Sequence, residues 1–133
     1  MAIPPTAARF ANPMDPEEVL DFVVPLEPVL ETGEMIDPDA GRWSLVLLAE
    51  AVALGLEIIE GDPDWPDPAL ITGSTSFPNN TAIRFWARVD PDFQDNAAFQ
   101  GSGTSLPMEV TAWTTSDPPR RRQRTFLLTV VEQ

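Results

Sequence analysis

Two alternating runs near the C-terminus restrict the fold more than any other stretch of the chain. In the first, Leu106 to Ser116, the apolar residues Leu106, Met108, Val110 and Ala112 share one parity; in the second, Arg124 to Glu132, Phe126, Leu128 and Val130 do. A period of two is that of strands burying one face. Between them stand Asp117, Pro118 and Pro119, and the prolines, with no amide donor and a fixed φ, stop both ladders. The pair predicts a β-hairpin. Two strands alone are marginal in water, so upstream segments must supply a facing layer.

Two such segments carry the same signature. Val19 to Val24 predicts a strand with Leu20, Phe22 and Val24 inside, and Thr81 to Val89 one with Ile83, Phe85, Ala87 and Val89 inside and Arg84, Trp86 and Arg88 outside. Leu26, Val29 and Leu30 stand at helical spacing and predict one turn closed by Gly33. Asp15-Pro16-Glu17-Glu18 has the chemistry of a helix's first turn, but the β-branched residues after it stop a helix from going far. Trp43 to Ile59 supports two readings. Leu47 to Leu54 is rich in Ala, Leu and Glu, which favours helix. The alternation of Trp43, Leu45 and Leu47, the break at Gly55 and the short run Leu56 to Glu60 favour strand, loop, strand, the reading adopted.

Six Asp-Pro dipeptides, at Asp15, Asp37, Asp62, Asp67, Asp90 and Asp117, fall at or beside these boundaries. Aspartate caps turns through its carboxylate, while proline refuses ladder pairing. Many short strands between such turns predict an all-β antiparallel sandwich of about seven strands over residues 15–133. Residues 1–14, with Pro4, Pro5 and Pro13, predict an extended arm, either a disordered terminus or a segment that orders on a neighbouring subunit, for which Ile3 and Phe10 would be the anchors.

At 133 residues the chain suffices for one core without staples. Its 21 acidic and 8 basic residues give a net charge of −13, and every basic residue is arginine. Such a chain repels nucleic acid, whose binding needs clustered positive charge. With no Lys, His or Cys, the nucleophile–histidine, Schiff-base and thiolate- or imidazole-metal chemistries lose an essential group, so no enzyme and no cofactor is expected. The first residues lack a signal peptide's apolar core and no apolar run approaches a membrane span, so a soluble protein without a membrane partner is expected.

The remaining constellations are contact candidates. Asp37/Asp39, Asp62/Asp64/Asp67 and Asp90/Asp92/Asp95 resemble fragments of a calcium loop, but none has EF-hand spacing and turn capping accounts for them; no metal site is assigned. Paired carboxylates are also the minimal glycosidase apparatus, and nothing selects one pair. Arg120, Arg121 and Arg122 head the one strongly basic patch, placed at the hairpin tip; it balances neighbouring acids of its own chain, or else meets an acidic surface of another protein or nucleic acid, and its replacement is expected to leave folding intact. Arg84, Trp86 and Arg88 make a second candidate patch, whose bland alternative is a tryptophan covered by a loop and arginines paired with nearby acids. Trp65, Trp86 or Trp113 would serve as a sugar platform if the chain were a carbohydrate-binding module.

Asp15-Pro-Glu-Glu-Val-Leu-Asp-Phe22, Glu31-Thr-Gly-Glu-Met-Ile36, the Phe85-Trp86 strand, Val110-Thr-Ala-Trp-Thr-Thr-Ser116 and Arg124-Thr-Phe-Leu-Leu-Thr-Val130 together resemble small virion proteins of tailed bacteriophages. The likeness spans most of residues 15–133; the Asp-Pro insertions around Trp65 depart from it. It implies an immunoglobulin-like sandwich of the fibre-to-tail adaptor or neck and tail accessory type. It further implies a virion location, partners among tail, neck or fibre subunits, and several copies in a symmetric assembly. A capsid decoration protein is the nearest alternative.

Overall fold

The computed structural model describes residues 7–133. Ile3 lies outside them. The architecture is all-β, with two sheets packed face to face. The first holds β1 (Ala8–Arg9), β8 (Arg121–Val130), β7 (Thr104–Trp113) and β3 (Trp43–Leu47), in that spatial order. The second holds β2 (Leu20–Pro25), β6 (Ala82–Val89) and β4 (Leu56–Ile58), with β5 (Ala69–Leu70) also on β6. β4 pairs with Ala87 to Val89 and β5 with Ile83 and Arg84, so the two lie end to end along one edge of β6. Except for β1, which runs parallel to β8, the strands pair antiparallel, and Met14 adds an isolated parallel bridge to Val130.

The parities read from the sequence hold. Leu106, Met108, Val110, Ala112, Phe126, Leu128 and Val130 face Phe22, Val24, Ile83, Phe85, Ala87 and Val89 across one core. Each large side chain removed from water there contributes about 1.5–3 kcal/mol.

Residues 43–59 correct the strand, loop, strand reading. Between β3 and β4 stands a short helix, α1 (Ala49–Ala53), as the local propensity favoured. A proline in the neighbouring strand explains the switch. Leu48 donates to the Pro107 carbonyl at 3.1 Å, and Pro107 has no N–H to return. The Leu48 carbonyl instead accepts from Ala51 and Val52, starting α1. A proline is thus accommodated inside a central strand, because the ladder on that side ends at its level. Gly55, at φ +83°, turns the chain out of α1, and its carbonyl accepts from Asp90.

The first turns also differ from expectation. Glu27–Val29 forms a 3-10 turn that ends at Leu30, and Gly33 closes a separate turn in which Glu34 donates to the Glu31 carbonyl. Asp15 to Glu18 makes a capping-box exchange without a helix: Glu17 N donates to Asp15 Oδ1 at 2.8 Å, and Asp15 N to Glu18 Oε1 at 2.7 Å.

Four of the six Asp-Pro dipeptides are one device repeated. At Asp15, Asp37, Asp62 and Asp90 the Oδ1 atom accepts from the backbone N–H two residues on, across the intervening proline. Asp67 closes a wider loop by accepting from Gly61, as Asn79 does from Gly73. The peptide bond after Asp117 is cis.

Candidate functional site

On β6 the outward parity presents Arg84, Trp86 and Arg88. Arg84 Nε lies 3.6 Å from Asp21 Oδ2 on β2, Arg88 Nε 3.0 Å from Glu57 Oε2 on β4, and Arg88 Nη1 3.7 Å from Asp62 Oδ2. Both arginines are therefore held by neighbouring acids, Arg84 in an exposed pair and Arg88 in half-buried ones, all of modest strength. Trp86 is half-buried and with Pro66, Asp67, Leu70, Thr72 and Arg84 lines a shallow cleft of about 300 Å³. Trp65, in the same excursion, is half-buried and does not line it.

The arginine cluster is not at the hairpin tip. Arg121 and Arg122 are the first residues of β8, and Arg120 immediately precedes them. Arg120 donates from Nε to Glu34 Oε2 at 3.0 Å and from Nη2 to Glu34 Oε1, with Glu31 Oε1 at 3.5 Å. The Glu34 side chain is 3 % exposed. The guanidinium holds this carboxyl far below the usual glutamate range against the opposing effect of burial, helped by the Glu31 N–H and the Ser116 and Thr114 hydroxyls. Arg120 is raised in return. Thr114 N donates to the Arg120 carbonyl and Arg120 N to the Thr114 hydroxyl, so this corner is part of the framework.

Arg124, next along β8, reaches across the core edge to the Pro25 carbonyl of the other sheet at 2.8 Å and lies over the Phe126 ring. Arg121 is exposed; Arg122 is half-buried with a buried Nε that meets no acceptor among the described residues.

Phe10, read from the sequence as an anchor for a neighbour, inserts into its own chain. Its ring lies 5.1 Å from Phe22, 6.0 Å from Phe85 and 5.7 Å from Phe126, closing the flank between β1 and β2. Beyond it, Met14 donates to Thr129 and accepts from Val131, covering the β8 edge. Trp113 carries the Arg42 guanidinium 4.7 Å from its ring centre, and Arg42 is tied to Asp37 at 3.1 Å, so one face of that ring is already occupied. Among the described residues no three carboxylates converge on one point. Four of the eight aspartates that suggested calcium loops, Asp37, Asp62, Asp67 and Asp90, accept from backbone N–H groups in turns.

The opposite flank is built differently. α1 seals its upper part, with Ala51 fully buried. Beyond it, Trp43, Ser44 and Leu45 of β3 face Glu60, Asp67 and Pro68 across an open cleft of about 550 Å³. Sequence reasoning passed over this site, because the helix–strand ambiguity around Leu47 hid the fact that Trp43–Leu47 is an edge strand without a charge. Comparison with family models, with curated proteins and with solved structures yields no match.

Proposed function

We propose that the protein is a non-enzymatic structural component of a tailed-bacteriophage virion, an immunoglobulin-like module that joins fibres or accessory proteins to the tail or neck. The observation that carries the reading is the strand order. β2-β6-β4 matches the order B-E-D and β8-β7-β3 the order G-F-C found in immunoglobulin sandwiches, and β1 extends the second sheet alongside β8. This arrangement supports the fold type implied by the virion-protein resemblance. On this reading α1 and the 60–68 excursion occupy the C-to-D connection, where loops vary around a fixed frame. A binding role fits a frame in which Arg42, Arg84, Arg88 and Arg120 are paired with acids of the same chain, leaving edges and clefts as the contact surfaces.

The test is mass spectrometry of gradient-purified particles from a lysate in which this chain is made. The reading expects the chain to co-sediment with tailed particles and to resist a high-salt wash. A chain that stays in the soluble fraction overturns it, and recovery with emptied capsid shells alone reassigns it to shell decoration.

A further inference from the structure

Sheet edges present unpaired amides, and proteins guard them with short strands, charges or proline. Among the described residues the sheet edges are guarded in that way with one exception. β1 has two residues and ends in Arg9; β2 contains Asp21 and ends in Pro25; β4 has three residues with Glu57 at its centre; β5 has two. β3 has five residues, Trp-Ser-Leu-Val-Leu, with neither charge nor proline, and Val46 is 47 % exposed.

The register shows which groups are free. Trp113 donates to Arg42 and Leu48 to Pro107, so in the antiparallel alternation Ser44 and Val46 bond to β7. The N–H and C=O groups of Trp43, Leu45 and Leu47 therefore point to the open edge, where no described residue meets them. The same three side chains face inward, and two of them line the cleft of about 550 Å³ beside that edge. Backbone donors, backbone acceptors and an apolar pocket thus occur at one place, the combination that strand addition uses.

We propose that β3 is a docking strand: an extended segment of a different protein, apolar at alternate positions and basic at the others, adds to its free edge and seats apolar side chains against Trp43, Leu45 and Pro68. Charge selects this occupant. The cleft is rimmed by Glu60 and Asp67 with no basic residue in its lining, and the whole chain carries −13. Pairing β3 with β3 of a second copy would bring two such rims together, at a cost that a basic segment avoids. The inference goes beyond the virion reading and does not depend on it.

The experiment is a nuclear magnetic resonance titration of the full chain with a blocked octapeptide alternating valine and arginine. The proposal expects amide shifts concentrated at Trp43 to Leu47 and around Pro68. Methylating the peptide nitrogens on the edge that would face β3 should weaken binding by about tenfold, the equivalent of one hydrogen bond. Glu60→Lys, at an exposed position outside both sheets, should weaken it about threefold without altering thermal stability. No shift at Trp43 to Leu47 at millimolar peptide overturns the proposal, as does undiminished binding of the methylated peptide, which would mean nonspecific charge attraction. A peptide-free dimer abolished by Leu45→Pro would identify a second copy as the occupant and equally overturn it.

Discussion

Arg120 and Glu34 stand 86 residues apart and form the most buried ion pair of the described residues, two guanidinium nitrogens on one carboxylate beneath the terminal hairpin. This pair pins the Glu31–Ile36 turn to the corner from which β8 starts. Removing the arginine orphans a buried charge, while about a third of the arginine side chain remains in water. Arg120→Ala should therefore lower unfolding free energy by about 2 kcal/mol in urea titration, less than the cost for a fully enclosed pair. Arg121→Ala, at an exposed position, should stay within about 0.5 kcal/mol. The expectation that all three arginines are dispensable for folding is thus replaced by one that separates them.

The same pair sets an acid limit. A carboxyl depressed in the folded state stabilises that state above its unfolded pKa and loses the contribution as pH falls through the interval below. For Glu34 the loss begins near the ordinary value of 4.5 and grows with further acidification. Asp15, lowered by the N–H groups of Glu17 and Gln133, acts in the same direction. The urea midpoint should fall as pH is taken below 4.5, and Glu34→Gln should be less stable than the parent at neutral pH but show a shallower acid slope. Parallel slopes would remove Glu34 from the account.

Gly55 is required twice over. Its φ is +83°, and a Cβ built there would stand 2.5 Å from the Phe93 ring. Gly55→Ala should cost about 2–3 kcal/mol from left-handed strain plus a clash. Gly101, at φ +66° with nothing near its missing side chain, should cost about 1 kcal/mol from strain alone. Equal losses at the two sites, measured by thermal melts, would count against the packing of Phe93 over Gly55.

Phe10 belongs to the core of its own chain. Because the ring is half-buried rather than enclosed, Phe10→Ala should cost about 2 kcal/mol, below the range for fully buried phenylalanine. Chemical denaturation of the isolated chain measures this. A variant as stable as the parent would mean that the Phe22–Phe85–Phe126 cluster holds without it.

The sequence exposed what local pattern controls. Alternation identified β2, β6, β7 and β8 with their buried parities, and Asp-Pro marked turns that Asx bonds do close. Long-range partners were not legible. Nothing near Arg120 in sequence indicates Glu34, and nothing near Phe10 indicates Phe22 or Phe126, so the pairing of an arginine in the cluster with acids of its own chain was legible without its partner, while Phe10 read as a surface anchor although it is engaged within the fold. The segment after β3 failed for a related reason: Ala49–Ala53 has helix propensity, but the switch from strand to helix depends on a missing N–H at Pro107, far along the chain. The docking edge was hidden by the same distance, since an edge is defined by which strand lacks a neighbour.

The virion role is tested most directly by cryo-electron microscopy of intact particles produced with this chain. Density matching the two-sheet fold is expected at the tail or neck, repeated with the local symmetry and contacting fibre or accessory subunits. Particles that are complete and infectious with no such density would contradict it.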